Sequence, residues 1–417
     1  MFDLAPLFNA SILFAEHRYY GVSQPFGNES YSNVKKLGFL ASTQALADYA
    51  RFLPYYKANV LNDTEAPVIA FGGSYGGMLA AWFRIKYPHI IDGAWAASAP
   101  VLYFKGGNVD PGAFDKVVTK DFVDAGCDRT VIEKGWTAIR KLAKTKKGRE
   151  ILNNVFHVDE KSLLQNESNA EDLIYFIREA FEYFAMVDYP YPTSFLQPLP
   201  GWPVQAACNL VKEQYPKPPT EDEDLVNYLY IISNLYYNST GSETTNCVIS
   251  KVCGDPATNG LGSDALGWPW QSCTELVMEI CAEGGKNDFF WDECKEAGGV
   301  LKMVKRFCLK TFEDIGYTEK FLFENDAPIE YGLEFAAASN IVFTNGNLDP
   351  WSVGGVFEDT PGVKEAAKNG VYTFFITNGA HHLDIRQPNT CDPESVKNAR
   401  FQVKIHCLLK LCFAKFL

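Results

Sequence analysis

One hexapeptide limits what this chain can become more than any other feature: Gly72-Gly73-Ser74-Tyr75-Gly76-Gly77. The apolar run Pro67-Val68-Ile69-Ala70-Phe71 stands directly before it, and Met78 to Lys86 follows with a helical composition. A strand that passes into a helix through G-x-S-x-G turns so tightly that the flanking positions must lack side chains. Such a turn forces Ser74 into a strained conformation and exposes its hydroxyl at the carboxyl edge of a sheet. The amide of Tyr75, first in the helix, then points where an oxyanion would form. An ordinary glycine-rich strand-to-helix turn is the plain alternative. Cradling a phosphate is disfavoured, because no Lys-Ser or Lys-Thr pair follows the glycines.

An elbow of this kind predicts an acid and then a histidine, each on a loop after a later strand. Asp349 follows the strand-like Asn340 to Thr344 in Asn345-Gly346-Asn347-Leu348-Asp349-Pro350-Trp351. His381 and His382 follow Val371 to Ile376 in Thr377-Asn378-Gly379-Ala380-His381-His382. Asp349 before a proline is also a good turn former. Of the remaining histidines, His17 precedes the serine and His89 ends its helix, while His157 lies in an inserted middle block and His406 in the terminal helix. None is better placed. Ser74 as nucleophile, His381 or His382 as base and Asp349 as orienter form a complete set.

Composition limits the class. The 417 residues allow two to three units, and 47% hydrophobic with 14% aromatic content is too apolar to stay disordered. The net charge, 38 − 51 = −13, argues against broad phosphate neutralisation of a nucleic acid. No apolar run reaches the ~18–20 residues that span a bilayer. Eleven cysteines, with no CxxC pair, suit disulfides in an oxidising compartment better than metal. Seven of them (Cys208, Cys247, Cys253, Cys273, Cys281, Cys294, Cys308) crowd into one stretch, and the odd total leaves at least one thiol unpaired or paired between chains. Sequons at Asn9, Asn28, Asn62, Asn166 and Asn238 fit a lysosomal or secreted route.

Residues 11–100 alternate apolar strands with helical spacing. Ile12–Ala15, Val68–Phe71 and Gly93–Ala99 read as strands, and Ser42–Ala58 as a helix through Leu46, Tyr49, Ala50 and Leu53. That rhythm predicts a parallel sheet covered on both faces. The block 105–335 is mostly helical, with Leu173, Phe176, Ile177, Ala180, Phe181 and Phe184 making one face of a helix over Glu171–Val187. Strands return at Ile341–Phe343 and Val371–Ile376. The expected organisation is an α/β core in two parts, 1–104 and 336–417, interrupted by a helical cap over 105–335.

Several stretches resemble the serine carboxypeptidase family that contains lysosomal Pro-X carboxypeptidase and dipeptidyl peptidase II. They are FAEHRYYG at 14–21, GGSYGGMLAAWFRIKYP at 72–88, MVDYPYPTSFLQPLPGWPV at 186–204, WPWQSCTELVM at 268–278, NGNLDPWSVGGV at 345–356 and GAHHLDIR at 379–386. The resemblance implies an α/β-hydrolase core with an inserted helical domain, and it places the base on the first histidine of the pair, His381. It further implies a peptidase acting after a penultimate proline through an acyl-enzyme, with no metal or organic cofactor. Trp202-Pro203 and the run Val277, Met278, Cys281 look more like the Pro-X carboxypeptidase side. Its proline pocket falls on Met78, Met278 and Trp351, chemically apt because thioethers and an indole face hold a pyrrolidine ring well. These three read equally as core residues. The expected partners are peptides, with a homodimer allowed.

The start, MFDLAPLFNASILFAEHRYY, has no basic segment followed by a clean apolar one and a cleavage site. The family has a signal peptide and further strands before this point, including a Gly-Asn-Glu-Gly loop that by analogy supplies a second oxyanion donor. The sequence reading is therefore of an N-terminally truncated chain whose first strands are missing. The loop between Asp349 and His381 and the end from Phe401 also depart from the family pattern. Three alternatives stand beside the carboxypeptidase: a dipeptidyl peptidase II-like enzyme, a lipase or esterase on the same fold, and an inactive fragment.

Overall fold

The computed structural model describes residues 1–253 and 266–413, with side chains described except at 250–251 and 407–413. The chain end from Phe401, expected to depart from the family pattern, therefore lies partly outside the described side chains. The chain divides into two compact units, one of residues 1–110, 263–279 and 298–417, the other of 111–262 and 280–297.

The first unit is built on β1 (Ile69–Gly73), β2 (Gly93–Ala97), β3 (Ile341–Gly346) and β4 (Val371–Ile376), paired in that order and all parallel. Helix α1 (Ser42–Tyr56) precedes β1, and α2 (Tyr75–Lys86) carries the chain from β1 to β2. This is the parallel, helix-rich architecture of an α/β hydrolase. Period-two alternation explains how a sheet of short strands serves two cores. Ala94, Ala96, Ile341 and Phe343 face the cluster that holds Met78, Trp82 and Val356, whereas Trp95, Ala97 and Val342 face Val403 on the other side. The small residues of β2 and of α2 bring helix and sheet close, and Trp82 stacks on Tyr331 with ring centroids 4.0 Å apart.

Ile12–Ala15, expected as a buried strand, is not one. It has no ladder partner among the described residues, and Phe14 is exposed. Apolar composition alone does not make a strand, because the backbone donors and acceptors must find a neighbouring strand.

The second unit is helical: α3 (Ala113–Asp124), α4 (Arg129–Ala143), α5 (Lys146–Val155), α6 (Asn169–Met186), α7 (Pro203–Gln214) and α8 (Asp222–Tyr237). The six apolar residues that predicted α6 are all buried. The insertion is narrower than 105–335. Residues 263–279 and 298–335, including α9 (Gly267–Ser272) and α10 (Val300–Phe312), belong with the sheet. There Trp270, Cys273, Cys308, Phe312 and Tyr317 pack with Tyr19, Leu37 and Leu40 in a satellite core. Amphipathic spacing identified a helical region but could not tell which core its apolar face would join.

Among the described residues four disulfides close within the units: Cys127–Cys208, Cys247–Cys253, Cys273–Cys308 and Cys281–Cys294. Cys208 leaves the crowded stretch to find Cys127, 81 residues away, a separation for which loop-closure entropy suggests roughly 4 kcal/mol. Cys391 is free and exposed. Among the described residues no helix is long and apolar enough to cross a membrane. The last element, α11 (Glu394–Phe413), packs against β4 and the turn Leu383–Ile385.

Candidate active site

All four strands are parallel, so their carboxyl ends share one edge, which is where ligands of such sheets bind. The loops at that edge carry Ser74, Ser98, Asp349 and His381.

At the elbow, Ser74 has φ 59° and ψ −128°, a conformation costing a non-glycine residue of order 1–3 kcal/mol. The surrounding glycines show why it persists. A Cβ on Gly72 would lie 1.9 Å from the carbonyl oxygen of Gly76, and one on Gly77 2.8 Å from that of Ala97. A Cβ on Gly73 would come within 2.8 Å of the His382 ring. Gly76 differs: a Cβ there meets nothing within 4 Å. Three of the four glycines are sterically required, and the second glycine of G-x-S-x-G is not among them. The Ser74 amide donates to Ala97 O at 3.0 Å, and Ser74 O accepts from Met78 N at 3.0 Å, which starts α2.

The acid and the histidine form a direct pair. His381 Nδ1 lies 2.9 Å from both carboxylate oxygens of Asp349, and both side chains are buried. Backbone contacts bring their loops together. A Cβ on Gly346 would fall 2.0 Å from Gly379 O, and the Leu348 amide donates to that same carbonyl at 3.1 Å. Asp349 also accepts from the Trp351 amide at 3.0 Å, so it is a turn former and the partner of His381 at once. The two readings of this aspartate do not compete.

Gly73, just before Ser74, lies against His382, just after His381. The second histidine is mostly buried, has φ 44°, and its amide donates to Ser98 Oγ at 2.7 Å. Burial, then the neighbouring His381 and Arg386, hold its imidazole well below the usual range. A ring kept neutral in this way packs the elbow.

The candidate pocket residues divide. Trp351 is half-buried, with its ring centroid 6.5 Å from that of His381. Met78 is 1% exposed and sits in the core under α2. Met278 is half-buried against that core and bridges Phe104. The structure brings Trp351 to the acid–base pair and places both methionines in or against the helix–sheet core.

Sequence reasoning missed a polar network behind the elbow. The Tyr75 hydroxyl accepts from Gln271 Nε2 at 2.8 Å and lies 3.1 Å from His17 Nε2. Gln271 also donates to Glu275 Oε1 at 2.9 Å and accepts from Tyr20 OH at 2.6 Å. Glu275 in turn accepts from Ser42 N at 2.8 Å and from its hydroxyl at 2.6 Å. Burial pushes Glu275 up from the ordinary carboxylate range, against the pull of Ser42 and Gln271. The signal was visible as His17, Gln271 and Glu275 standing inside aromatic and apolar runs. What the sequence did not show is that all three converge behind Tyr75, whose amide is the candidate oxyanion donor.

A parallel sheet with a serine elbow at its carboxyl edge and an Asp–His pair on later loops defines the α/β-hydrolase class of serine hydrolases. Within that class, residues 1–403 match the family model of serine carboxypeptidase S28, and the chain belongs to that family of serine peptidases. It is 47% identical to "Prolyl carboxy peptidase like protein 5" of Caenorhabditis elegans, over 96% of this chain and 76% of that protein. It is 40% identical to the lysosomal Pro-X carboxypeptidase of Homo sapiens, over 96% of this chain and 74% of the relative. For the mouse enzyme of the same name the identity is 39%, over 96% and 75%.

Proposed function

We propose that the chain is a Pro-X carboxypeptidase, releasing the residue that follows a penultimate proline. The observation that carries the reading is the Asp349–His381 pair, 2.9 Å apart, with His382 of the histidine loop packed against Gly73 of the Ser74 elbow. In the mechanism, His381 takes the proton of Ser74 as Oγ attacks the prolyl carbonyl, and Asp349 fixes the imidazole with its proton on Nδ1. The Tyr75 amide donates to the oxyanion of the tetrahedral intermediate. Collapse expels the C-terminal amino acid, whose nitrogen receives the proton from His381. Water, deprotonated by the same histidine, then hydrolyses the acyl-enzyme and frees Ser74.

Met78, Met278 and Trp351 form the proposed proline subsite, with the Trp351 ring centroid 6.5 Å from that of His381. The identity to Pro-X carboxypeptidases supports the carboxypeptidase over the dipeptidyl peptidase reading. Four disulfides and the sequons support a lysosomal or secreted setting. The test is turnover of a peptide ending in Pro-X by the purified chain and by Ser74→Ala. Release of X by the first and not by the second is the expected result. Equal turnover by both would remove Ser74 from the mechanism, and release of an N-terminal dipeptide instead of X would move the chain to the aminodipeptidase side.

A further inference from the structure

We infer that Arg400, on α11, is the positioning residue that keeps the His381 loop in register with Asp349 and Ser74. The inference rests on the reading of His381 as base. Asp349 fixes the His381 ring at one nitrogen, but where the ring sits depends on the backbone that carries it. That backbone is a sharp turn: His382 has a left-handed φ of 44°, and Leu383–Ile385 form a single 3₁₀ turn. Such a turn satisfies few of its own carbonyls.

Arg400 takes up two of them and the carbonyl of the residue that follows. Its Nε donates to Asp384 O at 2.7 Å, and Nη2 donates to Leu383 O at 2.9 Å and to Arg386 O at 3.2 Å. Nη1 pairs with Asp392 Oδ2 at 2.5 Å, which aims the guanidinium, and that carboxylate is itself buried. Opposite, Ser98 at the end of β2 accepts from the His382 amide. The loop is thus gripped from the sheet on one side and from α11 on the other. A guanidinium offers planar, diverging donors that reach several carbonyls at once, and a cation suits the carbonyl end of a helical turn. Lysine keeps the charge but not the fork.

The molecule supplies its own control. Arg84, at the far end of α2, likewise donates to Ser339 O at 2.9 Å and Pro88 O at 3.0 Å, and to Ile91 O. It clamps carbonyls of the same unit at the opposite end of the helix that Ser74 begins. A purely structural role for Arg400 would make the two arginines equivalent.

The experiment compares wild type, Arg400→Lys, Arg84→Lys and His381→Ala by kcat and KM on a Pro-X peptide and by thermal midpoint. Amide exchange of residues 380–386 is followed in the two arginine variants. Displacing a catalytic group by about 1 Å costs on the order of 10²-fold in rate, so Arg400→Lys should lose kcat on that scale with KM little changed. Exchange at 380–386 should quicken in Arg400→Lys alone, and Arg84→Lys should keep kcat whatever it loses in midpoint. Equal kcat losses in the two arginine variants, or unchanged exchange at 380–386 in Arg400→Lys, would overturn the inference. Wild-type kcat in Arg400→Lys beside an inactive His381→Ala would overturn it alone. An active His381→Ala would take down the assignment of the base and this inference with it.

Discussion

Two buried ionic sites in this chain are built on opposite plans. At the sheet edge, one carboxylate meets one imidazole, Asp349 with His381, on loops fixed by backbone contacts. In the helical unit, three carboxylates surround one guanidinium. Arg178 of α6 reaches Asp115 of α3 at 3.1 Å, Glu182 at 2.6 Å and Glu293 at 2.6 Å. The first site is matched in number and has the geometry to pass a proton. The second carries more negative than positive groups in a desolvated place, which favours the protonated form of a carboxyl there. Burial first, then the other carboxylates, push Asp115 up to about 8 against the pull of Arg178, and burial also raises Glu182 and Asp288. Similar residues in similar burial thus form a matched pair in one unit and an excess of carboxylates in the other.

The largest effect expected from breaking the matched site is on activity. Ser74→Ala should lower kcat by roughly 10⁶-fold. Asp349→Asn should cost roughly 10⁴-fold, because the imidazole is then held in the wrong tautomer. Neither should shift the melting temperature much, which calorimetry can check.

Next comes the elbow, where the glycines give a paired test. Gly72→Ala places a Cβ against backbone that cannot move aside and should abolish active-site labelling in soluble protein. Gly76→Ala points into open space and should keep near-wild-type labelling. Equal outcomes for the pair would contradict the geometry of the turn.

The mismatched site should respond in stability and not in kcat at a permissive temperature. Removing the cation by Arg178→Met leaves buried carboxylates without their counter-charge, a loss of about 3–5 kcal/mol. The pH dependence has a definite sign. An acid whose folded-state pKa is raised binds more protons folded than unfolded, so its favourable contribution is full below the unfolded value and fades as pH rises. For Asp115 that window runs from its ordinary value of 3.8 to about 8. Asp188, which accepts from the Val204 amide, is raised by burial to about 7 and adds the same sign. Melting of the chain across that range should fall with rising pH, and Asp115→Asn should flatten the slope. A midpoint that climbs with pH would contradict the reading of the cluster.

The same contrast shows what was legible in the sequence. Ser74, Asp349 and His381 could be nominated because each stands within a few residues of a strand's end, so local pattern and chain order point to them without tertiary knowledge. The Arg178 cluster gathers residues from two helices and from Glu293, more than a hundred positions away. No spacing along the chain announces that meeting. Ile12–Ala15 failed for a related reason: strand identity depends on a neighbour, and β-like composition does not supply one. The compact units divide the stretch expected as one cap over 105–335, because amphipathic faces are alike whichever core receives them. Gly76 shows the reverse, a motif position whose side-chain restriction was assumed from the pattern and is absent from the geometry.

The most direct test of the central claim is covalent. The chain should be treated with a fluorophosphonate, digested, and the adduct mapped by mass spectrometry in wild type and Asp349→Asn. A single adduct on the peptide carrying Ser74, formed far more slowly in the variant, is the predicted result. Labelling at another serine, or at Ser74 with equal speed in both proteins, would contradict the claim that Asp349 and His381 activate this hydroxyl.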